Sequence, residues 1–560
     1  MATAVCVIFG GRNMQKHHWW ENSVVYQIYP RSFQDSNGDG IGDLNGISKR
    51  LPYIKALGVD LIWICPVYKS PNDDNGYDIS NYQEIQPEYG TMEDFDALLN
   101  KAHNMGLKVI MDLVVNHTSD EHPWFLESRS SKDNPKRDWY IWRDGKNGRE
   151  PNNWESIFGG SAWEFDEPTG QYYLHLFSRK MPDLNWQNAK AREAIFEMIQ
   201  WWVRKGIDGF RVDAISHIQK PDLTDMPNPE GKRYVSSFDK HMNQPGILDL
   251  LQKMKTEAFS CGDLFTVAEA NGVKSSQACE WTGKDRGIFS TMFQFEHINL
   301  WNMDSIKHFS LPDFKRALTR WQDATCAEGN VALALENHDL TRCVSHFGNS
   351  EKYWKESAKC LAMMYMLQKG TPFIYQGQEL GMTNADYTCV EQFQDEPSLC
   401  SYHKRIAAGM PEHDSFTILS ETVRDNCRTP MQWDETENAG FTTGKPWMDI
   451  NHNSVKINAL QQMQDSDSIW HFYQKLIKIR KQNPVLIDGK YDLLLPEDKQ
   501  IYAYTRTLGN ECCRIVCNVS SEPAGLPAEL LDGKCILCNY ADVDTKELRP
   551  YECRLYYMER

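Results

Sequence analysis

Gly209-Phe210-Arg211-Val212-Asp213 is a short apolar run that closes on a carboxylate, and the chain repeats the device in Phe265-Thr266-Val267-Ala268-Glu269 and Leu335-Glu336-Asn337-His338-Asp339. Each reads as a buried strand whose last residue emerges from a sheet. Where parallel strand ends converge on one face, three such carboxylates act together at an acetal carbon: a nucleophile, a proton donor and a third charge that steers the substrate. One strand ending in Asp or Glu is ordinary. Three in one chain point to a built site.

Outward from these runs, β-rich segments alternate with helical patterns. Strands are predicted over 23–29, 59–65, 107–115, 209–213, 264–269, 291–295, 331–336 and 371–375, and eight is the number that closes a parallel barrel. Between them, Ile195, Met198, Ile199, Trp202 and Val203 fall at i, i+3, i+4, i+7 and i+8, giving a helix over 191–205 that Gly206 terminates. Over 91–105, Thr91 caps, Phe95, Leu98, Leu99 and Ala102 form the stripe, and Gly106 stops it. The predicted fold class is an α/β (β/α)8 barrel built from residues 14–117 and 187–482. Residues 118–186, rich in Trp, Asn, Gly and Asp, far exceed an ordinary βα connection and predict a small inserted domain beside the barrel mouth. Alternating runs over 491–495, 501–507, 512–519 and 553–558 predict a C-terminal antiparallel β-domain over 483–560.

Composition excludes several functions. A length of 560 residues exceeds one ordinary core, and 41% hydrophobic content fills more than one. The net charge of −17, from 77 acids against 60 bases, repels nucleic-acid phosphates and anionic membranes. The longest apolar candidate, from Cys360 to Leu367, meets Gln368, Lys369 and Gly370, well short of the roughly 18 residues a membrane helix needs. Residues 1–10 lack a basic start and make a poor secretion signal, and Met14 is a second candidate start. Sixteen cysteines scattered through strands and helices, without an export signal, point to reduced thiols and a cytoplasmic location. Cys535 and Cys538 have C-x-x-C spacing, with Cys512, Cys513 and Cys517 nearby, but in alternating β-structure that spacing faces opposite sides. Packed thiols are expected there rather than zinc.

Arg211 lies two residues before Asp213, so both point to one side of the strand, and its guanidinium is expected to hold that carboxylate ionised. Glu269 follows Phe265, Val267 and Ala268, apolar surroundings expected to keep the proton of a general acid. The contrast makes Asp213 the nucleophile and Glu269 the acid. Asp112, Asn116 and His117 end the third strand run, where His117 is placed to donate to a substrate hydroxyl, and His338 beside Asp339 reads the same way. The loop Asp35-Ser36-Asn37-Gly38-Asp39-Gly40-Ile41-Gly42-Asp43 resembles the start of an EF-hand, but position twelve is Gly46 where a bidentate Glu belongs. It predicts a lone structural cation, Ca2+ with Mg2+ as the alternative, held by Asp35, Asn37, Asp39, the Ile41 carbonyl and Asp43; the metal-free reading is an Asx-rich turn. Aromatic content of 12%, with 18 tryptophans, suits the C–H faces of sugars.

These segments together resemble the α-amylase family of glycoside hydrolases, and within it the oligo-1,6-glucosidase and α-glucosidase group. The likeness runs from about Trp19 to the C-terminus, through Val24-Val25-Tyr26-Gln27-Ile28-Tyr29-Pro30, Asp74-Asn75-Gly76-Tyr77-Asp78, Met181-Pro182-Asp183-Leu184-Asn185 and Arg428-Thr429-Pro430-Met431-Gln432-Trp433. The resemblance implies that Asp213 is the nucleophile, Glu269 the acid/base and Asp339 the transition-state stabiliser. It also implies that Asp74, Tyr77, His117, Phe158, Phe177, Arg211, His338 and Arg428 line the subsite of the terminal glucose, with Asp74 and Arg428 closing it behind the non-reducing end. A retaining, exo-acting α-glucosidase on short oligosaccharides follows, with an undetermined oligomeric state.

Two positions depart from the group's pattern. Met181 stands where Gln is usual, so a polar contact near the first sugar is expected to be lost. Isomaltose-type members carry Val after the nucleophile and Gly-Glu-Met-Pro-Gly around the acid, whereas this chain has Ala214 and Ala268-Glu269-Ala270-Asn271-Gly272. Ala214 and Glu336-Asn337-His338-Asp339 look more like α-1,4-acting maltases, so maltose-type linkages are expected to be preferred. The alternatives are an oligo-1,6-glucosidase, a trehalose-phosphate hydrolase, and a sucrose isomerase or transglucosylase. Isomerases of the group share Arg-Leu-Asp-Arg-Asp where this chain reads Glu296-His297-Ile298-Asn299-Leu300. A non-catalytic barrel ancillary to amino-acid transporters would lack the carboxylate trio and carry a membrane helix, the reverse of this chain.

Overall fold

The computed structural model describes residues 18–297, 309–325, 328–543 and 547–559. Met14 and residues 298–300 of the segment compared with isomerases lie outside them. Eight parallel strands share one sheet: β1 (Val25–Ile28), β2 (Leu61–Ile64), β3 (Lys108–Val114), β4 (Gly209–Asp213), β5 (Phe265–Glu269), β6 (Thr291–Phe293), β7 (Ala332–Leu333) and β8 (Thr371–Tyr375). Their order, β6-β5-β4-β3-β2-β1-β8-β7, brings first and last together as a nearly closed barrel. All eight predicted strands are present, β4 and β8 with the predicted bounds and the other six shortened. The largest change is β7, expected over 331–336 but ending at Leu333, so that Asp339 stands on the following loop rather than at a strand end.

Register places the chemistry. Val212 pairs with Ala268, so Asp213 and Glu269 leave neighbouring strands at one height. Arg211 pairs with Asp112 on the other side. Strand alternation then turns Arg211 and Asp213 to the same face. Gly209 permits this close approach: a Cβ there would sit 1.8 Å from the Phe265 carbonyl oxygen.

The outer helices form for the reasons their sequences give. Helix α1 (Leu44–Leu57) is capped by Asp43, whose side chain accepts from the Gly46 amide. Helix α2 (Met92–Asn104) has a full capping box, with Thr91 and Asp94 satisfying each other's backbone amides, and buries Phe95, Leu98, Leu99 and Ala102. Helix α3 (Ala189–Lys205) is capped by Asn188 and ends at Gly206 in the left-handed conformation. Between β3 and β4, the strands Trp142–Arg143, Gln171–Leu174 and Trp163–Asp166 form a small antiparallel sheet.

A second, antiparallel sheet contains β9 (Lys490–Leu494), β10 (Ile501–Leu508), β11 (Glu511–Asn518), β12 (Lys534–Cys538) and β13 (Cys553–Glu559), in the order β9-β10-β11-β13-β12. Strand β12 is not among the four runs predicted for this domain, although Cys535 and Cys538 are read as lying in β-structure; its Lys-Cys-Ile-Leu-Cys run is short and carries a register break between Cys535 and Leu537. The sheet docks on the helix Trp354–Met366. Buried Arg506 donates to the Leu367, Leu486 and Gly489 carbonyls, and Arg480 to those of Met366, Gln368 and Gly370. These guanidiniums satisfy carbonyls that a helix end leaves without partners. Among the described residues the cysteines are free thiols, Cys512, Cys513 and Cys517 fully buried, and no group of His, Cys, Asp or Glu side chains gathers around a metal position.

Candidate active site

At the C-terminal mouth of the barrel a single guanidinium serves three carboxyl groups. Arg211 Nη1 lies 2.5 Å from Asp112 Oδ1 and 2.6 Å from Asp213 Oδ1, and Nη2 lies 2.9 Å from Glu269 Oε2. Burial pushes Asp213 well above the usual carboxylate range; Arg211 opposes it, while the Glu269 and Asp112 charges add to it. Burial likewise raises Asp112 against the pull of Arg211. Arg211 acts on Asp213 in the expected direction, towards the ionised form, but it is one cation shared by three buried acids, so burial and the two neighbouring carboxyl groups outweigh it. Glu269 is held by hydrogen bonds to its carboxyl group. Oε2 accepts from the Ala214 amide at 2.7 Å as well as from Arg211.

Asp339, on the loop beyond β7, is held differently. It pairs with His338 Nε2 at 3.0 Å, Arg424 Nη1 at 3.0 Å and Arg428 Nη2 at 3.1 Å. Although burial raises it, these three cations hold its carboxyl well below the usual range. Burial acts to lower His338, but the Asp339 charge prevails and lifts it to about 10. The Gln27 side-chain amide lies 2.9 Å from His338 Nδ1. The Tyr77 hydroxyl accepts from His338 Nε2 at 2.8 Å and donates to Asp112 Oδ2 at 3.3 Å, tying the two halves of the site together.

The remaining expected residues gather around the same mouth. His117 is buried beside Phe177, their rings 5.2 Å apart, and Phe177 meets Phe158 edge-on at 5.7 Å. Asp74 closes the rear, but its cationic neighbour is Arg424, at 3.8 Å, rather than Arg428. Arg428 instead donates to the His338 carbonyl and Asp339. Arg424 also pairs with Asp395, and Asp73 accepts from Ser178 of the inserted segment, so three loops meet behind the pocket. A cavity of about 400 Å³ here is lined by Asp74, Phe158, Phe177, Asp395 and Arg424 among others. A larger one, about 910 Å³, lies at the opposite rim between Leu264, Ser290, Asn330 and Gly370 and holds none of these acids. Arg424 and Asp395 escape the sequence reading; the signal lies in Arg424 and Arg428, which stand one helical turn apart. Met181 is packed in the core, 1% exposed, and offers the site no polar group.

In the 35–43 loop the side-chain oxygens turn to amides. Asp35 accepts from the Asn37, Gly38 and Gly40 amides and from Thr442, and despite burial these bonds hold its carboxyl below the usual range. Asn37 and Asp39 accept from the amides two residues on, and Asp43 from Ser36 and Gly46. These are nested Asx turns.

Residues 27–489 match the α-amylase catalytic domain. The chain is 54% identical over 552 residues, 97% of its length and 99% of the relative's, to the probable oligo-1,6-glucosidase 3 of Bacillus subtilis (strain 168). Among solved structures it is similar to the Bacillus licheniformis trehalose-6-phosphate hydrolase, with TM-score 0.92 and 41% identity over 97% of this chain and 100% of that one. It is also similar to isomaltulose synthase from Erwinia rhapontici NX5, with TM-score 0.94 and 40% identity over 98% and 100%. With the barrel, the acid cluster around Arg211 and this match across most of its length, the chain belongs to the α-amylase family of glycoside hydrolases.

Proposed function

We propose that the protein is a retaining, exo-acting α-glucosidase that releases α-glucose from the non-reducing end of short α-glucosides. The observation that carries this reading is the single guanidinium of Arg211 spanning Asp213 and Glu269. It keeps the two carboxyl groups close, in accord with the about 5–5.5 Å separation of retaining enzymes rather than the wider gap that leaves room for a water in inverting ones. Asp213 attacks the anomeric carbon as the bond to the leaving sugar breaks and Glu269 gives the leaving oxygen its proton. Water, deprotonated by Glu269, then attacks the same carbon and frees Asp213. Asp339, kept ionised by His338, Arg424 and Arg428, stabilises the positive charge that develops on the ring. Exo action is supported by the rear wall of Asp74 and Arg424.

We assign α-1,4 linkages as preferred, on Ala214. The second reading, an oligo-1,6-glucosidase, is favoured by the name of the 54% identical relative. Values of kcat/KM on maltose, isomaltose, sucrose, trehalose and trehalose 6-phosphate decide between them, and preference for isomaltose overturns the first. We also propose a structural calcium in the 35–43 loop, with magnesium as the alternative, through Asp35, Asn37, Asp39, the Ile41 carbonyl and Asp43, all hard oxygen donors; the Asx-turn bonds of these side chains to backbone amides favour the metal-free turn, and calcium titration followed by melting temperature decides between the two. Free thiols among the described residues support a cytoplasmic location, and no described helix is long and apolar enough to cross a membrane.

A further inference from the structure

Behind His117 lies a chain of buried polar groups. The Lys220 side chain is 1% exposed, its Nζ 2.9 Å from Asp183 Oδ2, and it donates to Asn116 Oδ1 at 2.9 Å. Asn116 turns its Nδ2 the other way, 3.4 Å from Asp183 Oδ1 and 3.2 Å from His117 Nδ1. The amide thus has its oxygen on a cation and its nitrogen on an anion, and charge fixes its orientation at both ends. An amide nitrogen only donates, so His117 Nδ1 must accept and the ring proton sits on Nε2. His117 Nε2 is buried and meets no partner in full hydrogen-bond geometry among the described residues, the Tyr77 backbone making only a weaker approach to the ring. Burial, reinforced by the Lys220 charge, pushes this ring down to about 3, so it is neutral near pH 7.

We propose that Lys220 is a positioning residue for glucoside hydrolysis: through Asn116 it locks His117 in the Nε2–H tautomer, which presents a donor to one hydroxyl of the bound glucose. The inference rests on reading this mouth as a glucoside site. Neutral imidazole otherwise exchanges between two tautomers, and the wrong one offers the sugar a lone pair where a proton is needed. Lys220 holds the tautomer from a position the substrate does not reach. The inserted segment supplies Asp183, so the relay also couples that segment's seating to the chemistry of the ring.

The test is a set of kcat/KM measurements with maltose and with monodeoxy 4-nitrophenyl α-glucosides, melting temperatures being recorded for each variant. His117→Ala is expected to cost about 10 to 100-fold. Asn116→Asp, which offers Nδ1 an acceptor and so draws the proton there, is expected to cost about as much, yet less than about 2-fold when added to His117→Ala. Lys220→Met combined with Asp183→Asn removes both charges together and so avoids stranding one. It frees Asn116 to turn over, with a loss of about 3 to 10-fold that again vanishes in the His117→Ala background. For the glucoside lacking the contacted hydroxyl, the Asn116→Asp loss disappears. Losses that persist in full without His117 overturn the relay and make Lys220 structural. If His117→Ala itself leaves kcat/KM unchanged, the glucoside reading of this part of the site fails first.

Discussion

Replacing Ala214 by Val separates two effects that meet at one residue. Ala214 has φ 44° and ψ 29°, a left-handed conformation, and its amide donates to Glu269 Oε2 at 2.7 Å. A β-branched side chain resists that conformation, at a strain of about 1–2 kcal/mol. Relaxation withdraws the amide from Glu269, and a hydrogen bond is worth about 0.5–1.5 kcal/mol, or about 2 to 13-fold in rate. That loss is common to every substrate. The second effect is selective: the added methyls crowd an α-1,4-linked leaving sugar, worth about 1–3 kcal/mol, or about 10 to 200-fold in relative kcat/KM. Steady-state kinetics on maltose and isomaltose therefore show both values falling in Ala214→Val, with their ratio moving toward isomaltose. Ala214→Gly accepts the same backbone, keeps the amide in place and leaves the ratio at or above its starting value for maltose. A ratio unmoved by Val while both rates fall leaves only the backbone effect and refutes the specificity role of Ala214.

Three further outcomes are expected. Arg424→Ala leaves Asp74, Asp339 and Asp395 short of a buried cation, a cost of about 3–5 kcal/mol, and disaccharide kcat/KM falls at least about 100-fold; a loss below tenfold removes Arg424 from the rear wall. The proton of His338 is bound more tightly in the folded protein, up to about 10. Its stabilisation is therefore complete below the unfolded value of about 6.5 and fades as pH climbs toward 10. The melting-temperature gap between the wild type and His338→Gln is widest near pH 6 and narrows toward pH 10, and a gap that widens with pH contradicts the pairing. Calcium raises the melting temperature, by about 2.7 kcal/mol of added stability at a hundredfold excess over its Kd, whereas chelation lowers it without changing initial rates at low temperature; immediate loss of activity with an unmoved melting curve makes the ion catalytic.

Much of this site is legible in the amino-acid sequence. The repeated apolar run ending in Asp or Glu marks β4 and β5, and the two-residue spacing of Arg211 and Asp213 fixes their common face, because strand alternation is a local rule. Three things are not local. Arg424 and Asp395 flank the helices Glu396–Ala407 and Glu412–Thr422 beyond β8, and only their folding back over the mouth brings them to Asp339 and Asp74. The charge state of Asp213 depends on burial and on two other acids competing for Arg211, which spacing along one strand does not contain. The left-handed backbone at Ala214 is invisible in a residue type that normally avoids it.

The stereochemistry of the first product tests the central claim most directly. With 4-nitrophenyl α-glucoside followed by NMR from the moment of mixing, before mutarotation, a double displacement through Asp213 and Glu269 gives α-glucose first, with the β-anomer appearing only at the rate of spontaneous equilibration. β-Glucose as the initial product means a single displacement by water and contradicts the roles assigned to both carboxyl groups.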